Sequence, residues 1–156
     1  MAPSRRSSEP RKVVCVTGAE KRSNGHDGMV MPASLNPDLL FAAVGDVHGQ
    51  MHAMVRLLGG WEAKTGRKLS FVLQVGDFEP IRDERDLETM AAPAKYRVVG
   101  DFPDFYTGRA AFPWPVYFIG GNHEPYGFLD EIPDGGDAID NCVYVGRAGL
   151  VEIGGL

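Results

Sequence analysis

Apolar positions along the chain follow two rhythms. Residues 39 to 45, "LLFAAVG", form a continuous apolar run closed by glycine, which predicts a strand buried on both faces. Met51, Met54, Val55 and Leu58 then recur at the i, i+3, i+4, i+7 spacing of one helix face, and Gly66 marks the helix end. A second strand is expected over residues 69 to 76, "LSFVLQVG", and a third over 115 to 121, "PVYFIGG". Between them "DERDLETMAA" (83 to 92) reads as helical, and the proline- and aromatic-rich residues 93 to 115 as a long irregular segment over the surface. "YGFLDEI" reads as a short helical turn, and "CVYVG" and "LVEIGG" as two late strands. The βαβαβ order predicts an α/β domain with a mainly parallel sheet and right-handed crossovers. The segments that follow its strands then gather along one edge, where such sheets bind ligands.

At 156 residues the chain is long enough for one domain with a real core, and its hydrophobic content of 44% and charged content of 24% are those of a soluble globular chain. No apolar run approaches the length that spans a bilayer, so no membrane partner is expected. Two cysteines, Cys15 and Cys142, do not make a disulfide framework, and a reducing compartment, the cytoplasm, is the expected setting. Cys142 reads as a small core hydrophobe.

Residues 1 to 38 are rich in Ser, Pro, Gly and Arg and read as a mostly disordered leader, with Met29 and Met31 as alternative starts. The Arg- and Ser-rich first twelve residues also have the composition of a transit peptide. Residues 1 to 22 hold six basic residues and two acids, so the rest of the chain carries a net charge of −9. That is the wrong sign for a protein that grips phosphates with Lys and Arg. If this chain meets phosphates, cations held in a site must supply the positive charge.

The three expected strands are followed by "GDVHG", "GDFEP" and "GNHEP". They bring Asp46, His48, Asp77, Asn122 and His123 to one edge, and the glycines let the backbone turn sharply there. Carboxylates, imidazoles and an amide oxygen, with no thiolate, form a hard donor set suited to Mn, Fe, Zn or Mg. Any one of these fragments alone is an ordinary turn; all three at successive strand ends point to a metal site. His52, four residues after His48, imitates a ligand pair but reads as a polar-face residue of the first helix. Glu124 reads as a hydrogen-bonding support for the ligands. Tyr96, Phe105, Tyr106 and Trp114 are candidates for a base-stacking surface, with packing under the long loop as the default.

"GDVHG", "GDFEP" and "GNHE" resemble the first three motifs of the calcineurin-like metallophosphoesterases, over roughly residues 39 to 156. Within that superfamily, "GDFEPIRDERDLETMAAPAKYR" and "FIGGNHE" resemble the RNA lariat debranching enzymes and their relatives, as do "EIPDGG" and "VYVGRAG". The resemblance implies a four-layer α/β/β/α fold, of which this chain would form the N-terminal half, and two divalent ions, Mn, Fe or Zn before Mg. It implies Asp46 and His48 on one ion, Asp77 bridging both, Asn122 on the second, and His123 facing the scissile phosphate as acid or charge stabiliser. It also implies a phosphoester substrate, a phosphodiester first, with nucleic acid as one candidate. Debranching enzymes often carry Cys where this chain has Asp46, which counts against debranching specifically and widens the reading to a broader phosphoesterase.

The superfamily completes its site with histidines after two later strands, whereas the last histidine here is His123. The domain over residues 39 to 156 is therefore expected to be incomplete at its C-terminus, needing a further half or a second copy. Two rival readings follow. A phosphomonoesterase of the protein-phosphatase type shares "GDVHG" and "GNHE", but "GDFEP" lacks that type's Asp-Arg-Gly. The other is a catalytically inactive fragment or interaction partner.

Overall fold

A computed structural model describes residues 39–148 and 151–153; the expected leader lies outside the described residues. These residues build a five-stranded sheet: β1 (Phe41–Val44), β2 (Phe71–Gln74), β3 (Val116–Phe118), β4 (Gly136–Ile139) and β5 (Cys142–Tyr144), in the order β1-β2-β3-β5-β4. Neighbours pair in parallel except β4, which runs antiparallel to β5. The architecture is the mainly parallel α/β class that the strand–helix alternation predicts. Among the described residues, no helix is long and apolar enough to cross a membrane.

Helix α1 (Met51–Thr65) forms where the apolar spacing places it and stops at Gly66, whose φ of 70° is the left-handed conformation that closes a helix. Its start is capped from a distance. Both carboxylate oxygens of Asp101 accept first-turn N–H groups, from Met51 at 2.7 Å and His52 at 3.0 Å. Helix α2 (Glu84–Leu87) is shorter than the ten-residue pattern, and the segment expected to be irregular contains a 3-10 turn (Ala94–Tyr96) and helix α3 (Phe102–Tyr106). Helix α4 (Tyr126–Leu129) is the short turn after β3.

One late strand differs from expectation. β4, "GDAI", pairs with β5 through a two-residue turn at Asp140-Asn141, where Asn141 has a φ of 58°. Glycine and aspartate mask its β character, and the tight turn creates it. In the expected strand "LVEIGG" the described residues, 151–153, are not strand.

The two faces of the sheet have different neighbours. Val72, Val116, Phe118, Cys142 and Tyr144 point into one core with Met51 and Met54 of α1, Phe102 and Phe105 of α3, and Phe128 and Leu129 of α4. Burying each such side chain contributes about 1.5–3 kcal/mol. The opposite face carries Leu73, Val75, Tyr117, Ile119 and Val145 along a groove of about 290 Å³, beside Val151 and Ile153. Both faces are apolar, but β1, expected to be buried on both, is exposed or half-buried along its whole length, because it is the edge strand and the second face is open.

Candidate metal centre

The loops after β1 and β2 are built alike. In the first, Asp46 and His48 have φ of 51° and 47°; in the second, Asp77 and Glu79 have φ of 53° and 56°. Left-handed backbone is unfavourable for residues other than glycine, and its concentration at four neighbouring positions marks a site held in shape by its surroundings. The residues between them, Val47 and Phe78, turn into the core and anchor both loops. Backbone pairing continues past the strands: Asp46 N–H donates to Gly76 O at 3.1 Å, His48 N–H to Asp77 O at 2.9 Å, and Gly49 N–H to Phe78 O at 3.1 Å. This register sets His48 beside Glu79. The turn therefore does not rest on flanking glycines alone, as the sequence implies: the candidate ligands Asp46, His48 and Asp77, with Glu79, themselves take the strained conformation.

The loop after β3 closes the site. His123 N–H donates to Asp77 Oδ1 at 3.1 Å. A side chain at Gly121 would overlap the Asp77 carboxylate, so only glycine permits this approach. Glu124, fully buried, accepts from Phe78 N–H and Glu79 N–H at 2.9 Å and from Gly121 N–H at 3.0 Å. It ties the second and third loops together, and burial pushes its carboxyl above the usual range.

The donor atoms of Asp46, His48 and Asp77 lie within 4.8 Å of one another, with His48 Nε2 3.8 Å from Asp46 Oδ1. The other ring nitrogen, Nδ1, is 2.8 Å from Glu79 Oε1, a hydrogen bond that raises the His48 titration above its ordinary value. The His123 ring stands edge-on to His48 with centroids 5.3 Å apart. Its buried Nδ1 lacks a hydrogen-bond partner among the described residues and lies 3.5 Å from the same Glu79 oxygen. Two carboxylates and an imidazole nitrogen facing one point are what a hard or borderline divalent cation takes, so the residues fit the metal expected of them.

Asp46, His48, Asp77 and His123 are thus brought together. Asn122 is exposed on the same turn, between Gly121 and His123. His52 is turned away, its Nε2 3.0 Å from Asp104 Oδ2. Of the aromatic candidates, Phe105 and Trp114 are core, while Tyr96 is half exposed with its ring 5.9 Å from that of His123. Glu79 escapes the sequence reading. The signal for it is the likeness of "GDVH" to "GDFE", which aligns Glu79 with His48.

A family model described as "Calcineurin-like phosphoesterase" matches residues 39–154, and the chain belongs to that family. Among its relatives, the lariat debranching enzyme of Entamoeba histolytica is 40% identical over 115 residues, covering 74% of this chain and 32% of the relative. The lariat debranching enzyme of Danio rerio is 40% identical over 120 residues, covering 74% and 21%. That of Arabidopsis thaliana is 35% identical over 113 residues, covering 72% and 27%. The chain therefore spans between a fifth and a third of the length of these curated relatives.

Proposed function

We propose that this site is the strand-end portion of a metal-dependent phosphodiesterase centre, with branched RNA as its substrate class. The observation that carries the reading is the convergence of Asp46, His48, Asp77 and His123 from three separate loops on one sheet edge. The relatives' shared name supports the substrate. Asp46, His48 and Asp77 would hold one ion, and Asp77 with Asn122 would hold a second; Mn, Fe or Zn suits this mixed oxygen and nitrogen set. Such ions stabilise charge on the phosphate and activate water. His123 is held against Asp77 through its own backbone N–H, and it would face the phosphate as proton donor or stabilising charge. An acidic chain can then bind a polyanion through ions in the site instead of surface Lys and Arg.

The test is Mn²⁺-dependent hydrolysis of bis-nitrophenyl phosphate and of a branched RNA oligonucleotide, with mono-nitrophenyl phosphate as the contrast. In an enzyme completed with the remaining length of a relative, turnover of the diesters is expected to disappear with EDTA and to fall by several orders of magnitude in Asp77→Asn, the 156-residue chain alone giving no more than a trace. His123→Ala is expected to slow it by about 10²–10⁴-fold while bound metal stays near wild type. Preference for the monoester, or Asp77→Asn activity within tenfold of wild type, would overturn the reading.

A further inference from the structure

Glu79 is a buried carboxylate placed between two imidazoles. Its side chain is 4% exposed, and Oε1 lies 2.8 Å from His48 Nδ1 and 3.5 Å from His123 Nδ1. The nitrogen it contacts on His48 is the one opposite Nε2, which faces Asp46. The carboxylate therefore stands behind the ring, on the far side from the ligand cluster of Asp46, His48 and Asp77. Its own position is fixed: its N–H is taken by buried Glu124, its backbone is left-handed, and its carbonyl accepts from Ile81 N–H at 2.9 Å.

An imidazole can present either nitrogen as the lone-pair donor, and the partner of the other nitrogen decides which. A carboxylate behind a ligand histidine takes the Nδ1 proton, turns the ring, and makes Nε2 a better donor. We propose that Glu79 is a positioning residue shared by both site histidines: its hydrogen bond fixes His48 as the Nδ1–H tautomer, and its charge, 3.5 Å from the His123 Nδ1 that has no hydrogen-bond partner among the described residues, orients that ring. This rests on the proposed metal reading for its purpose but on hydrogen-bond geometry for its substance. The same three side chains also fall within 4.8 Å as a possible ligand group of their own. The 2.8 Å contact makes that group a hydrogen-bonded cluster, and the two roles separate experimentally. An orienting acceptor survives replacement by an amide oxygen; a charged ligand does not.

The experiment uses the full chain as wild type, Glu79→Gln and Glu79→Leu. Long-range ¹H–¹⁵N spectra of the metal-free proteins, above the titration of the His48 ring, report its tautomer; calorimetry reports Mn²⁺ affinity. Wild type and Glu79→Gln are expected to show His48 as Nδ1–H, and Glu79→Leu to shift toward Nε2–H. Mn²⁺ affinity is expected to fall about 10–100-fold in Glu79→Leu and much less in Glu79→Gln. A wild-type His48 in the Nε2–H form overturns the proposal. So does an equal loss of Mn²⁺ affinity in both variants, which would make Glu79 a ligand. If Glu79→Leu fails to fold, the wild-type tautomer and the Glu79→Gln affinity decide alone. The expected tautomer with no Mn²⁺ uptake by any version would support Glu79's role and overturn the metal reading instead.

Discussion

Glu124 shows how a single residue can hold a site without touching its chemistry. Its carboxylate satisfies three backbone N–H groups on two loops, and among the described residues they have no other acceptor. Glu124→Ala removes the acceptor and leaves three buried donors unpaired, each a loss of about 1–3 kcal/mol before relaxation. The expected outcome is a loss of about 3 kcal/mol or more in a urea unfolding experiment, with Mn²⁺ affinity falling alongside because Asp77 and Glu79 sit on the released loop. A loss under about 1 kcal/mol would mean that water replaces the carboxylate. At this scale the sequence is readable where chemistry has a strong residue preference: Asp46, His48, Asp77 and His123 announce themselves by type and by the glycine before each motif. Glu79 does not, because its meaning lies in a register between two loops that only pairing of β1 and β2 creates.

At the scale of elements, the C-terminal end of α1 is joined to β2 through Glu62. Its carboxylate accepts from Leu69 N–H at 2.7 Å, Lys68 Nζ at 3.1 Å and Trp114 Nε1 at 3.0 Å. The Leu69 hydrogen bond is the main reason its titration lies below the ordinary carboxylate range, despite a residue only 7% exposed. A folded-state value below the unfolded one means that this contribution is complete above the unfolded carboxylate value, about 4.3, and fades as pH falls through the lowered folded value. Glu62→Gln should therefore flatten the acid limb of stability against pH, measured as urea midpoints from neutral to acidic solution. An unchanged acid limb would remove Glu62 from the account. Element existence is well marked in this chain where periodicity is long, as in α1, and poorly marked where tertiary contacts make the element. α3 is packed into place by Phe102 and Phe105, and β4 exists because a two-residue turn lays it against β5. Neither carries a pattern of its own long enough to see.

On the scale of the whole molecule, the sheet has one face under helices and one face that the described residues leave largely open. Val75 is 55% exposed, Ile119 43% and Val151 39%, beside Leu73, Tyr117 and Val145 in a shared groove. Apolar side chains gathered in this way are unfavourable in water and mark a surface that associates. The 156-residue chain produced by itself is therefore expected to bind a hydrophobic dye and to self-associate on sizing with light scattering. A double substitution, Val75→Lys with Ile119→Lys, should suppress both while leaving the site loops intact, because these side chains point away from the core of α1. The metal site shares the consequence. Asp46, His48 and Asp77 would give one ion half a shell, but Asp77 and Asn122 alone are too few for a second, which normally takes about four ligands. The solubilised double variant is expected to retain fewer than two equivalents of Mn²⁺ after dialysis, counted by mass spectrometry. A monodisperse wild-type chain holding two ions would show that the open face is not adhesive and that a second copy, or ligands beyond those identified, completes the centre.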